Sequence, residues 1–430
     1  MLIEVDTTGA VWPVVVETLS DDAKLLASDG AEDDGFGRVV AISGDTIVVG
    51  SGEDDDNGDN TGSAYVFEKP PGGWTGSLTE TAKLLTSQPA TRFGEITLDI
   101  SGDTIVVGAW ATAYVFEKPP GGWTGILTED AILTASDAPT EDSFGRYSLA
   151  IDGDTIVVGR REAFDNGVNS GKAYVFEKPP GGWTGNLTED AVLIPSDGAM
   201  GDTFGSVAID GDTIVVGASL ADPQGENSGA AYVFERPPGG WVGTILETAK
   251  LLPTTGAAND RFGFAPVIRD QEVVIGAFDA EGAGAAYVFR EPVGGWIGTV
   301  TESAKLLPSD GVAGDQFGQS VAFSGERIVI GAPQDDDLGI NSGAAFLFTR
   351  PIGGWTGTLN ETEKLRPTDN AAFDFFAERI GIESGVVVIG AQNDDDNGDN
   401  SGSAYVFAVG VIFSDGFESG DFGAWSSVVP

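Results

Sequence analysis

The sequence contains no cysteine and no histidine. Without cysteine there is neither a disulfide framework nor thiolate chemistry. Without histidine, Ser-His-Asp triads, Cys-His pairs and His-ligated zinc or iron sites are excluded. Basic residues are scarce as well: 22 Lys and Arg stand against 67 Asp and Glu, a formal net charge of −45. A surface this negative repels phosphate backbones and anionic lipid, so nucleic acid and membrane surfaces are poor partners. The opening MLIEVDTTGAVWPVVV has no basic segment and no apolar run of signal-peptide length, and no later stretch has the length to span a bilayer. The expectation is a soluble monomer with no membrane insertion and no visible signal peptide. What the chain does have is core-forming material, 41% hydrophobic residues with 24 Phe and 9 Trp, which argues against disorder.

That material is organised by repetition. AYVF recurs at Ala64, Ala113, Ala173, Ala231, Ala286 and Ala404, with AFLF at Ala345. TIVVG or a relative ends at Gly50, Gly108, Gly159, Gly217, Gly276, Gly331 and Gly390. Phe-Gly sits at Phe36, Phe93, Phe144, Phe204, Phe262 and Phe317, and the seventh copy reads Phe376-Ala377. Each unit holds four short β-branched and aromatic stretches parted by Gly, Pro, Asp and Asn, and none sustains a helical period. The fourth unit, for example, reads AVLI, SVAI, TIVVGA and AAYVFE, with the tight turn DGD between the middle two. The chain is therefore all-β, and seven four-stranded antiparallel units predict a seven-bladed β-propeller. A solenoid would need atypical end units. Here a lone fourth-type strand at Ala23 and a third-type strand at Ala404 predict that the N-terminal strand completes the last blade and closes the ring. The expected organisation is a lead-in over 1–22, the propeller over 23–410 and an acidic tail over 411–430.

Phe-Gly, then GAP at Gly331, GAS at Gly217 or GAQ at Gly390, then AYVF, resembles the FG-GAP repeats of integrin alpha subunits and of many bacterial secreted proteins. The resemblance covers roughly residues 23 to 407. It implies a propeller, a secreted or cell-surface setting, and Phe and Gly packed between adjacent blades. Integrin-type repeats carry a calcium loop between the first two strands, but here that connection is only SGD or DGD. The acidic loops lie instead between the second and third strands, on the face shared with the blade-to-blade loops; in integrin heads that face binds ligand. The terminal IFSDGFESGDFGAW resembles a short segment ending secreted proteins of several bacteria.

The candidate sites follow from the acidic loops. Glu53, Asp55, Asn57 and Thr61 place oxygen at loop positions 1, 3, 5 and 9 with Gly58 at 6, a calcium-loop spacing. Asn393, Asp395, Asn397 and Ser401 repeat it, and the sixth unit offers Asp335, Asp336 and Asp337. The competing reading is an Asp/Asn/Gly turn whose side chains bond their own backbone. Calcium is the only cofactor the residues suggest. The Asp two residues before each Phe (Asp34, Asp142, Asp202, Asp260, Asp315 and Asp374) reads as a turn cap. The Trp of each PPGGW turn reads as cover for the outer strand, with sugar stacking as the rival. The innermost strands read RVVAI, EITLDI, RYSLAI, SVAI, FAPVI, SVAF and ERIGI, mostly apolar or with single charges. They favour a non-enzymatic binding or adhesion module for a protein or glycan ligand. The alternatives are a glycosidase or polysaccharide lyase working with carboxylates alone, and a purely structural envelope repeat.

Overall fold

The computed structural model describes residues 21–409 except 59, 88–91, 138–142 and 166–167. The lead-in before Asp21 and the C-terminal tail lie outside the described residues. Seven blade sheets form, each contributing its innermost strand to a ring: Val39–Ser43, Leu98–Ser101, Leu149–Asp152, Phe204–Asp210, Pro266–Arg269, Ser320–Ser324 and Ile380–Glu383. Neighbouring inner strands touch all the way round, and Ile380–Glu383 returns to contact Val39–Ser43. The ring closes as expected. Ala23–Leu26 pairs antiparallel with Ser403–Ala408, with Ala23 opposite Val406 and Leu25 opposite Ala404.

The second strands are buried along their whole length, as in Thr46–Ser51, except at the first residue of three of them, Thr213, Arg327 and Val386. A strand sandwiched between two blades has no solvent face, which explains TIVVG, β-branched on both sides. Ile47 and Val49 pack into the junction with the seventh blade, and Val48 into the junction with the second. The Phe of Phe-Gly fills each junction edge-on: Phe36 lies 5.4 Å from the Tyr65 ring and 6.1 Å from that of Phe67. The small partner residue is obligatory where backbones cross. A Cβ on Gly390 would stand 1.7 Å from the Gly37 carbonyl oxygen.

The structure adds one element to the expected blade. In six sheets a fifth, outermost strand comes from the following repeat and runs parallel to the fourth, as Gly76–Thr79 does beside Ala23–Leu26. Its residues are largely exposed, so no hydrophobic pattern marks it. A carboxylate just past this strand ties adjacent repeats. Glu80 accepts from the Ser28 amide and hydroxyl, and Glu129 does the same for Ser87. At the closure Asp21 takes that place and accepts from the Thr368 amide at 2.9 Å.

Candidate functional site

The acidic loops fold around lysine. In the first blade the Lys83 ammonium donates to Asp29 (2.8 Å), Asp54 (3.0 Å) and Asp56 (2.6 Å), and lies 4.8 Å from the Tyr65 ring centre. The Tyr65 hydroxyl donates to Asp54 (2.6 Å) and Asp29 (3.0 Å), and Ser63 donates to Asp54 at 2.8 Å. The seventh blade repeats this cage with Lys24, Asp369, Asp394, Asp396, Tyr405 and Ser403. The sixth builds it from Lys364, Asp310, Asp335 and Asp337, with Phe346 in the tyrosine position. Burial disfavours the charged ammonium, yet hydrogen bonds to three carboxylates raise Lys83 above its ordinary value. Burial likewise pushes Asp29 up, but Lys83 and the Tyr65 hydroxyl together hold it below the carboxylate range. Each cage ties a blade-to-blade loop to the loop between second and third strands.

The predicted ligands are distributed differently from the calcium spacing. Glu53 accepts from Arg92, Asp55 from the Asn60 amide at 2.6 Å, Asn57 donates to the Thr86 carbonyl, and Thr61 to the Gly58 carbonyl. In the seventh loop Asp395 accepts from the Asn400 amide, the Asn397 amide donates to Ser401, and Ser401 to the Asp394 carbonyl. Asn393 lines a shallow groove with Gln392, Asn400 and Asp33. Asp336 accepts from the Asn341 amide. The carboxylates that converge in the first and seventh loops are one residue away, Asp54 with Asp56 and Asp394 with Asp396, joined by Asp29 or Asp369. Only in the sixth loop do two predicted residues, Asp335 and Asp337, come together.

The seventh-blade triad Asp369, Asp394 and Asp396 offers carboxylate oxygens within 4.8 Å of one another, close enough to hold a metal ion. The Lys24 ammonium lies among those three residues. As arranged, the residues fit an ammonium, and a metal ion would share that space only if the lysine withdrew.

Two other expectations resolve cleanly. Asp34, Asp202, Asp260, Asp315 and Asp374 each accept from the amide three residues earlier at 2.6–2.7 Å, which is the capping role; Asp142 lies outside the described residues. The six turn tryptophans are buried in blade junctions, Trp123, Trp183 and Trp241 completely, and offer no face for a sugar to stack on. The lysines were missed because each cage spans distant segments, Asp54 lying 29 and Asp29 lying 54 residues from Lys83. A signal was present. Lys occupies the second position of the fourth strand in all three caged blades (Lys83, Lys24 and Lys364) and also in the fourth and fifth (Lys250, Lys305), while Ile132 and Val192 stand there in the second and third.

The profile of a family described as "FG-GAP repeat" matches residues 19–67, 127–176, 187–234, 245–289, 300–348 and 359–407. The stretch between the first two matches holds the second unit, with its shortened loop. No curated protein sequence matches the chain. Among solved structures, Kluyvelomyces marxianus Hsv2 is similar over 76% of this chain and 83% of its own, at 8% identity and a TM-score of 0.41. An overlap that distant has no functional meaning.

Proposed function

The chain belongs to the FG-GAP repeat family, and from that premise we propose that it is a non-enzymatic binding module working at the cell surface or outside the cell. Its ligand, a protein or a glycan, meets the acidic loop face. The observation that supports this is the way the face is held. Buried lysines clamp the loops from beneath, while Asp55, Asp336 and Asp395 point out, each fixed by a bond to its own loop backbone. A preorganised surface loses little entropy on binding. Between the sixth and seventh blades Leu338, Ile340 and Phe373 are also exposed, an apolar spot beside the acids that suits a protein ligand with basic and apolar side chains. A screen of defined glycans and basic proteins at two salt concentrations tests the reading. The expected ligand binds more weakly in high salt and more weakly again to Asp336→Asn and Asp395→Asn. Turnover of any screened glycan would overturn it.

Calcium is a second reading, favoured by the Asp369, Asp394 and Asp396 triad. On this reading calcium competes with Lys24. Calcium titration by calorimetry should show weak binding to the native protein, with Kd on the order of 10⁻⁴ to 10⁻³ M as in extracellular modules, and tighter binding to Lys24→Met. Equal heats in both proteins would remove calcium from this cage.

A further inference from the structure

In a ring of near-identical units, a site for one ligand must break the sevenfold pattern. The pattern breaks most at the residue after each Phe-Gly, where the innermost strand enters the loop-face mouth of the central channel. The seven residues there are Arg38, Glu95, Arg146, Ser206, Phe264, Gln319 and Glu378. Arg38 and Glu95 neutralise each other at 3.1 Å. The other basic residues nearby do not find such partners.

Of the 22 Lys and Arg residues, all but Arg146, Arg161, Arg290, Arg327 and Arg379 pair with a carboxylate of a described residue. With acids outnumbering bases threefold, an unpaired arginine is not short of candidates. Yet three of the five gather at the channel mouth. Arg161 and Arg379 line one cavity of about 180 Å³ with Tyr147, Ser206, Phe264 and Gln319. Arg161 donates to the Ser206 hydroxyl at 2.8 Å, and its guanidinium lies 5.4 Å from the Tyr147 ring centre and 5.3 Å from that of Phe264. Arg146 stacks on Tyr147 from next door, 4.8 Å away, and on Trp110 at 4.2 Å. The buried Nε atoms of Arg146 and Arg161 have no partner, and neither does Gln319 Oε1, whose amide can turn to present its NH₂. Burial and the nearby Arg379 charge pull Arg161 down to about 10, so it is still cationic at neutral pH.

Arg161 and Arg379 are both half-buried, and although the Glu378 charge acts on Arg379 it forms no ion pair with it, so two partly desolvated like charges share one cavity. We propose that the channel mouth binds the carboxylate group of a ligand, gripped between the Arg161 and Arg379 guanidinium groups. A carboxylate matches the arginine fork, and the aromatic rings flank the space its carbon skeleton would enter. A single negative charge also suits a molecule of net charge −45, whose field opposes more highly charged anions. This site is independent of the acidic rim: it takes the opposite charge and uses none of the cage residues.

The test is thermal melting of the full chain against rising sodium acetate, with sodium chloride or sodium phosphate at matched ionic strength. Acetate should raise the melting temperature above chloride, and the phosphate rise, which exclusion from the surface produces in any folded protein, should be the same in wild type and mouth variants. Arg161→Gln and Arg379→Gln should each weaken the acetate dependence about tenfold, the loss of one charge-assisted hydrogen bond. Arg290→Gln, removing an unpaired arginine elsewhere, should leave it intact. In chloride alone both mouth variants should melt no lower than the wild type. Identical acetate and chloride curves would overturn the proposal, as would a phosphate effect that the mouth variants lose to a greater extent than the acetate effect. So would mouth variants that keep the acetate response or unfold early in chloride, since their arginines would then be structural.

Discussion

The rim and the mouth of the loop face are only a blade's width apart, yet they treat charge in opposite ways. At the rim, carboxylates crowd in threes, and each group is answered by a lysine of its own blade. At the mouth, arginines gather, and no described carboxylate pairs with Arg146, Arg161 or Arg379. The rim arrangement recurs in three blades with the same geometry, as a structural device should. The mouth occurs once. Charge density alone therefore tells only half of the story: the cage acids are consumed by the fold, the outward Asp55, Asp336 and Asp395 stay on the face, and the few unpaired bases mark a second place.

The strongest way to break this comparison is to remove one cage lysine. Lys83→Met leaves Asp54, 3% exposed, and two neighbouring carboxylates with no cation. Breaking a buried pair on one side typically costs about 3–5 kcal/mol. We expect a loss in that range by denaturant titration, and a comparable loss for Lys24→Met, which also weakens the closure strand. Arg379→Gln should change stability by less than about 1 kcal/mol, because no pair is lost. Equal losses at rim and mouth would show that both are structural.

The fold was legible because repetition multiplied a weak signal: AYVF seen once is an ambiguous strand, but its six copies and the variant AFLF give strand order, blade count and ring closure. The fifth strand was hidden for a physical reason. Gly76–Thr79 is mostly exposed and pairs with a strand more than fifty residues earlier, so nothing in its own residues announces it. The acidic loops were legible as special, but their side-chain directions were not. A calcium spacing and an Asx turn share the same alternation, and it was Lys83, from another segment, that decided which carboxylates turn inward. The mouth was invisible because Arg146 and Arg161 of the third repeat lie more than two hundred residues from Arg379 of the seventh, and only the ring brings them together.

Acidity next separates the capping carboxylates from those of the cages. Burial, outweighing the capping amide, raises Asp34, Asp202, Asp260 and Asp315, and it pushes Asp374 and Asp99 up to about 6. A carboxylate raised in the folded state contributes stability that is full below its unfolded value near 3.8 and is lost as pH rises through about 6. Cage carboxylates run the other way. Asp29 and Asp369, held down by their lysines against burial, contribute above the unfolded value, and that contribution is lost as pH falls through their lowered values. Stability should therefore peak near pH 4 and fall as pH rises to about 6, measured as the denaturant midpoint from pH 3 to 8. Asp374→Asn should flatten the neutral limb and Lys83→Met the acid limb. A maximum above pH 7 would contradict this assignment.

Within the rim itself, Asp55 and Asp395 do a smaller job than the cage acids. Each accepts one amide hydrogen bond from its own loop, so Asp55→Ala and Asp395→Ala should cost about 1 kcal/mol apiece, the usual worth of a local cap. Because neither faces a cage lysine, calcium added to either variant should act as it does on the wild type. A variant that loses a calcium-specific rise in melting temperature, while keeping the sodium chloride effect, would move the metal reading from the triad to the outer loop.

The smallest effect is expected at Ala377, where the blade that supplies Arg379 departs from Phe-Gly. Ala377 is fully buried at φ 74°, its amide donates to the Gly390 carbonyl, and its own carbonyl accepts from the Ser320 hydroxyl at 2.8 Å. Every other copy of this position is a glycine at positive φ. Restoring glycine relieves roughly 1–2 kcal/mol of left-handed strain. It also forfeits about 0.8 kcal/mol of methyl burial and gives back roughly 0.4–1 kcal/mol of unfolded-chain entropy. These terms nearly cancel, so Ala377→Gly should leave the denaturant midpoint almost unchanged. Its value lies in the acetate titration. If alanine stiffens the two residues leading to Arg379, the glycine variant should bind acetate more weakly at unchanged stability, a split that a purely structural position does not produce. An unchanged acetate response would mean that this departure from the repeat owes nothing to the channel mouth.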